Sequence, residues 1–383
     1  MKHRIVICVD YFEPGYRGGG CLRAVSHLVR SFSGECTLQV LTRDRDLGMN
    51  GRYSEAERST VIWDLGCEIH YLPPGAAAFP LMRRAIEGFK PDVLYLNSAF
   101  SPAFTLWPLW AYRRLAKGTL LAPRGELLSG ALASKGLKKR VFLALARAVG
   151  LYRDIHWHAT CPQEVEAITA LGLGGRGIHL ASDLPGALPA PSNPPRKDPG
   201  ALDLLFLARI HPMKGLHRML QWLPEVPGNL RLRIAGPEVD LNYAEACRGL
   251  VDGLPERIRV DWLGPLNHQE VLAEFGRAHI YVLPTETENH GYTIQEALAC
   301  GCPVITSRGT PWKELEGQGA GWSISLEDSV AWCRTLAQLV DMGEEAQALL
   351  RQRAFEYGSR SMEGGNAARE TRAMFEAVSR DAK

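Results

Sequence analysis

No apolar run in this chain approaches the roughly 18 residues needed by a membrane-spanning helix, so no such helix is expected. The opening apolar run, residues 5–9, is too short for a secretory leader and runs into Asp10, so it reads as a first strand. Cysteine is present nine times but scattered, and only Cys300 and Cys302 stand close together. Without paired Cys-x-x-Cys knuckles a zinc site is not expected. The cysteines are read as reduced, which points to the cytosol, and Cys8, inside a buried strand, as a small hydrophobe. Net charge is only +2, too small to imply a nucleic-acid partner. No Gly-x-Gly-x-x-Gly follows the first strand, which argues against a dinucleotide site. Internal repeats and low-complexity tracts are also missing.

What remains is an ordinary globular composition, 46% apolar over 383 residues, enough for two domains or one large α/β domain. Strands are expected at residues 4–9, 37–41, 68–72, 93–97, 119–122 and 157–161. Helices are expected at 21–30, 81–89, 105–117, 132–149 and 164–171. Such alternation predicts an α/β chain with parallel sheets. Residues 185–200 hold six prolines, which suit neither a helix interior nor a central strand. The α/β pattern then restarts, with strands expected at 204–207, 230–235, 258–262, 280–283 and 304–306. From Ser329 the chain reads as helical, ending in an amphipathic segment at 367–378. The expected division is an N-terminal domain at 1–184, a linker at 185–200, a second domain at 201–360 and a terminal helix at 361–383.

The most informative stretch is 284–305. A short β-rich run precedes it, residues 292–300 suit a helix, Gly301 stands where a C-cap belongs, and another strand follows. Two carboxylates, Glu288 and Glu296, have seven residues between them. Glu288 falls at the strand's carboxyl end and Glu296 in the second helical turn. A helix start carries unpaired N–H groups and a positive dipole end, so the backbone at Gly291, Tyr292 and Thr293 predicts an anion site. Gly291 allows close approach. A carboxylate one turn further in would repel phosphate, and hydrogen bonding to paired sugar hydroxyls suits Glu296 better. Upstream, Arg209 and Lys214 follow a predicted strand and can converge on one anion. The plain alternative for both motifs is solvated surface charge.

Together these stretches resemble the signature of the retaining family 4 glycosyltransferases, which have the GT-B fold. That resemblance implies two Rossmann-like domains facing a cleft, with the last helix crossing back to the N-terminal domain. It implies that Arg209 and Lys214 hold a donor diphosphate, that Glu288 contacts the donor sugar, and that Glu296 binds ribose hydroxyls. Arg209, Lys214 and Glu288 would carry the catalysis. Gly236 and Gly264, each ending a strand, would line the nucleotide, with His290, Gly291, Tyr292 and Thr293 along the same site. His290 fills a slot where relatives often have Phe. Gly18, Gly19 and Gly20 are similar to the family's glycine loop, with Gly19 toward the diphosphate and Gly18 and Gly20 toward the acceptor. Relatives often carry His where this chain has Pro123-Arg124-Gly125-Glu126, so Arg124 is expected to meet an anionic sugar or an acceptor phosphate. No metal or other cofactor is implied. Asp44-Arg45-Asp46 matches a metal-holding pattern of a different glycosyltransferase fold and is expected here to be a solvated loop. His156 and His158 alternate on a strand, and at least one is expected in the core.

The implied function is retaining transfer from a nucleoside-diphosphate sugar, UDP ahead of GDP, to a saccharide or polyprenyl-diphosphate-linked saccharide. By analogy with bacterial polysaccharide and O-antigen enzymes the setting is cell-surface polysaccharide synthesis. A sugar-nucleotide epimerase or a non-catalytic sugar-nucleotide-binding protein are the rival readings. Residues 81–153 hold 13 lysines and arginines against 3 acidic residues. Within 104–149, Trp107, Trp110 and Tyr112 interleave with Arg113 and Arg114, and Lys135, Lys138, Lys139 and Arg140 stand beside Phe142. This composition suits either a basic helix packed on a sheet or an anionic membrane surface. The expected location is cytoplasmic, peripheral on the inner face of the membrane if the second holds.

Overall fold

Strand β1 (Arg4–Val9) forms where five consecutive apolar residues follow Arg4, and all five are at most 1% exposed. A strand covered on both faces has this composition. In the computed structural model, residues 2–54, 60–62, 66–133, 136–189, 195–363 and 365–381 are described. They fall into two units, Met1–Pro185 with Gly364–Lys383, and Gly186–Glu363.

In the first unit, β1 is followed by α1 (Gly20–Phe32), β2 (Thr37–Arg43), β3 (Thr60–Ile62), β4 (Glu68–Leu72), α2 (Ala78–Phe89) and β5 (Val93–Asn97). Then come α3 (Trp107–Ala111), β6 (Gly118–Ala122), α4 (Ser129–Ala133), α5 (Gly136–Ala148), β7 (His156–Ala159), α6 (Pro162–Leu171) and β8 (Gly177–Leu180). The sheet order is β3-β4-β2-β1-β5-β6-β7-β8. All pairings are parallel except β3 with β4.

The second unit runs β9 (Ala201–Leu207), α7 (Leu216–Trp222), β10 (Asn229–Ala235), α8 (Leu241–Asp252), β11 (Ile258–Gly264) and α9 (His268–Arg277). It continues with β12 (Ile280–Leu283), α10 (Tyr292–Ala299), β13 (Val304–Ser307), β14 (Gly321–Ile324), α11 (Ser329–Asp341) and α12 (Glu344–Met362). Its sheet is wholly parallel, in the order β11-β10-β9-β12-β13-β14.

The last helix, α13 (Ala367–Arg380), belongs to the first unit. It buries Met374, Phe375 and Val378, and Phe375 meets the rings of Phe32 and Tyr95 edge-on, at 6.0 and 5.8 Å. At its exposed side Arg372 grips Glu35 with two bonds of 2.8 Å.

Several expectations change. The single helix expected at 105–117 is a π turn (Pro102–Leu106), the short α3 and a 3-10 turn (Arg113–Leu115). Pro102 and Pro108 lack the N–H groups that a continuous ladder uses. The helix expected at 132–149 is α4 and α5, and residues 134–135 lie outside those described. Strands β3, β8 and β14 were not expected; each has only three or four residues. The linker expected at 185–200 is described apart from 190–194. Its later part is anchored. Lys197 is 2% exposed, and its ammonium donates to the carbonyls of Asp198, Val340 and Met342 at 2.9–3.0 Å.

Cys8 is fully buried as expected, and all nine cysteines are unbridged. His156 and His158 are both buried.

Candidate active site

In the second unit the strand order, counted from β9, reads 3-2-1-4-5-6. The chain therefore leaves the neighbours β9 and β12 in opposite directions, which opens a crevice at their carboxyl ends. Both sequence motifs emerge there. Arg209 and Lys214 follow β9, and Glu288 and the start of α10 follow β12.

The loop after β9 is built around a 3-10 turn, Pro212–Lys214. His211 caps it by accepting the Met213 N–H on Nδ1 at 3.2 Å. Burial, with Arg209 nearby, lowers the His211 pKa, which favours the neutral ring that this cap requires. Gly215 follows at φ 75°, and a Cβ there would collide with the Pro284 carbonyl. Only glycine lets the two loops lie together at that point. Met213 O then accepts from Glu286 N at 2.8 Å and Thr285 Oγ1 at 3.2 Å. This lacing delivers Lys214 to Glu288, with Nζ 2.5 Å from Oε1 and both side chains under 20% exposed. Arg209 is exposed, with no hydrogen bond or ion pair seen from it among the described residues.

Gly291 is the N-cap of α10, at φ 77°. A Cβ there would meet the Trp312 indole at 2.9 Å, while Trp312 Nε1 donates to His290 O at 2.8 Å. The cap has no side chain to occupy the first-turn N–H groups of Tyr292 and Thr293, and the helix dipole points its positive end at the crevice. Thr293 Oγ1 bonds the Tyr281 hydroxyl at 2.9 Å, and Tyr281 also donates to Leu207 O at 2.8 Å. That fully buried phenol thus ties β9 to α10. Glu296 is 3% exposed. Its Oε1 lies 3.9 Å from Nδ1 of His268, the first residue of α9. Sequence reasoning missed His268; no local pattern links it to a residue 28 positions on in another helix.

The His290 ring donates to Gln295 Oε1 at 3.1 Å and packs 4.3 Å from the Tyr292 ring, so it braces the turn before α10. Gly236 and Gly264 end neighbouring strands, and Gly236 N donates to Gly264 O at 2.8 Å. All the expected donor residues except Gly19 therefore stand on the carboxyl-end loops and helix starts of one sheet.

The remaining expected residues belong to the first unit. Gly19 is the N-cap of α1, at φ 70°. The loop before it hangs on Asp46, whose Oδ2 accepts Tyr16 N at 2.9 Å and Arg17 N at 3.1 Å. Asp44 and Asp46 are 3% and 6% exposed, so the expectation of a solvated loop is corrected. Asp44 pairs with Arg45 and Arg52, and Asp46 positions the glycine loop. Among the described residues no group of three or more metal-ligating side chains forms.

Arg124 also departs from expectation. It follows β6 at φ 54°, and its side chain is 7% exposed. The guanidinium pairs with Asp183 and donates to Asn97 Oδ1 at 2.8 Å and to Tyr95 OH at 2.9 Å. A fork spent on buried partners of its own chain is arranged to hold the loop rather than to face an acceptor. Next to it, Glu126 accepts from Ala99 N at 2.6 Å and from Ser98 Oγ at 2.9 Å. Glu164 accepts from Gly125 N and, at 2.8 Å, from Thr160 N. Burial raises the pKa of both carboxyls, and these hydrogen bonds oppose it. Ser98, at φ 137°, is a second strained residue at a neighbouring strand end, as is common where a loop is shaped for a ligand.

Residues 192–356 match the model of the family described as glycosyl transferases group 1. That stretch, most of the second unit, carries the group 1 glycosyltransferase domain. Among curated relatives, the D-inositol 3-phosphate glycosyltransferase of Corynebacterium efficiens is 33% identical over 147 residues, 36% of this chain and 34% of that protein. The enzyme of the same name from Mycobacterium sp. strain KMS is 26% identical over 187 residues, 48% of this chain and 42% of that protein. The matches thus span well under half the length of these relatives. Among solved structures, Anabaena Alr3699/HepE in complex with UDP and glucose superposes with a TM-score of 0.69 at 16% identity, covering 98% of this chain and 99% of that one. WaaG, a glycosyltransferase involved in lipopolysaccharide biosynthesis, gives 0.63 at 12% identity, covering 98% and 99%. These likenesses establish the fold, which is GT-B.

Proposed function

We propose that this protein is a retaining glycosyltransferase that moves a sugar from a nucleoside-diphosphate sugar, UDP ahead of GDP, to a saccharide or lipid-linked saccharide acceptor. The observation that carries the reading is the convergence at one switch point of the loops bearing Arg209, Lys214 and Glu288 with the start of α10 and Glu296. The two cations and the Tyr292 and Thr293 N–H groups take the diphosphate. Glu296 accepts from the ribose hydroxyls, and Glu288 meets the donor sugar. The likeness to a fold-mate solved with UDP and glucose supports this choice of donor.

The acceptor hydroxyl attacks the anomeric carbon from the face that the phosphate leaves. The new bond joins acceptor oxygen to anomeric carbon, the bond from that carbon to phosphate oxygen breaks, and the acceptor proton passes to the departing phosphate oxygen. No separate side-chain base is required. Charge gathers on the leaving diphosphate, and fixed cations aimed at developing charge are the strongest catalytic device available. Thermal-shift screening against nucleotide-sugars tests the donor. A concentration-dependent rise in Tm with UDP-sugars is expected, and no rise with any nucleotide would refute the reading. Epimer formed from donor alone would favour an epimerase, and binding without transfer or hydrolysis a non-catalytic protein.

Cell-surface polysaccharide synthesis is the proposed setting, supported by the first unit's surface. Leu137, Val141, Leu145 and Val149 recur every fourth residue along α5 and just past its end, and are 51–79% exposed. Trp110 is 71% exposed, and Lys138, Arg140 and Arg147 are exposed beside the stripe. Trp107 and Tyr112 turn inward, bonded to each other at 2.9 Å. An apolar stripe with flanking cations suits the surface of an anionic bilayer. Flotation with anionic but not neutral liposomes is expected, and flotation with neither would refute it. No helix among the described residues is long and apolar enough to cross a membrane.

A further inference from the structure

The second unit has a cavity of about 390 Å³ away from the crevice, lined by Asp203, Arg231, Arg233 and Arg277 among others. Arg231 and Arg233 lie five and three residues before Gly236, so roughly 10–16 Å of strand separates them from the carboxyl end where the donor residues stand. Asp203 is paired in register with Arg231 across β9 and β10. The cavity therefore opens on the amino-terminal half of the sheet, beside the last turn of α9.

Its charges are shared in an uneven way. Asp261 serves both Arg231, at 2.6 Å, and Arg259, at 3.3 Å. Glu274 serves both Arg233 and Arg277, each at 2.8 Å. With Asp203 that makes three carboxylates for four guanidinium groups. Arg233 is 6% exposed, yet its Nε and Nη2 make no hydrogen bond; the Glu274 oxygen is close but badly aligned. Arg231 and Arg277 each bond a carboxylate through one nitrogen, Nε and Nη1, which leaves the rest of each fork to other acceptors. A buried guanidinium that keeps an unpartnered Nη2 beside its ion pair with Glu274, flanked by two rim guanidiniums, is a ready receptor for a group with several charged oxygens.

We propose that this cavity is a second anion site, one that takes a small phosphate monoester, with Arg233 at its floor and Arg231 and Arg277 at its rim. Three forks suit a tetrahedral dianion, and the volume leaves room for the small organic group that the phosphate carries. The site is separate from the donor crevice, and its occupancy does not require that crevice to be filled.

Titration calorimetry on the full chain tests it, with glycerol 3-phosphate as probe and the donor crevice first saturated with UDP. Binding is expected to persist under UDP and to weaken at least tenfold in the double variant R231Q/R277Q. Those two side chains are surface-exposed, so the variant is expected to fold, and unchanged UDP affinity would verify that. R233M is expected to abolish binding. Heat that vanishes once UDP is present would assign the phosphate to the donor crevice and overturn the proposal. So would equal binding by wild type and rim variant, or no binding at all. Failure of UDP itself to bind would refute the donor reading, while the rim-variant comparison would still judge this site.

Discussion

Lys214 and Glu288 lie 74 residues apart in the chain, and the ammonium of one stands 2.5 Å from the carboxylate of the other. Each comes from a loop that leaves a different central strand, so the pair measures how closely those loops are registered. In the proposed reaction a diphosphate competes with Glu288 for that ammonium. Lys214→Ala is expected to lower the transfer rate on the order of 100-fold, as when one oxyanion donor is lost. Steady-state kinetics with a UDP-sugar would measure it, and an unchanged rate would count against the site.

Glu296 points to an effect on binding rather than rate. A buried carboxylate that accepts from ribose hydroxyls contributes about 1.5–3 kcal/mol per charged hydrogen bond. Glu296→Ala should therefore weaken UDP roughly tenfold to a hundredfold in calorimetry. His268→Ala, which removes the neighbour 3.9 Å away, should weaken it less. Equal UDP affinity in wild type and Glu296→Ala would place the nucleotide elsewhere.

Arg124 separates a positioning role from an acceptor contact. Breaking its buried pair with Asp183 leaves a carboxylate uncompensated, which costs about 3–5 kcal/mol. Arg124→Ala should lose that much stability in urea denaturation. Were Arg124 mainly an acceptor ligand, the variant would raise the acceptor KM with stability intact.

His158 predicts a pH response. Its Nε2 donates to Ala181 O at 2.8 Å, so Nδ1 accepts from the Tyr95 hydroxyl at 2.6 Å, and Tyr95 in turn accepts from Arg124. Burial, reinforced by Arg124, lowers its pKa to about 4, against an ordinary value near 6.5. Between those values the unfolded chain takes up a proton that the folded chain refuses. The stabilisation is thus complete above about pH 6.5 and is lost as pH falls through about 4. Tm measured from pH 7 to pH 4 should fall less steeply in His158→Gln than in wild type. Parallel curves would show that the ring is not buried neutral.

Most of the architecture was legible in the residues. Strands buried on both faces are almost wholly apolar, so β1, β5 and β12 were located to the residue, and the half-buried, alternating β4 was located as well. Strands β3, β8 and β14 escaped because three or four residues give periodicity too little length. The motif residues Arg209, Lys214, Glu288, Gly291 and Glu296 were legible for a local reason. Each lies within a few residues of a strand end or helix start, and those positions follow from short-range pattern.

What the amino-acid sequence determined alone was therefore the alternation, the two-unit plan and the cationic and acidic residues at the strand ends. Tertiary structure decided which of those charges stand at the crevice of the second unit and which are consumed internally. Asp46 is drawn to the Tyr16 and Arg17 amides, Arg124 is taken by Asp183, and His268 is brought beside Glu296. The reason is that a charged side chain's role is set by the partner nearest in space. When that partner lies tens of residues away, no spacing rule along the chain can name it.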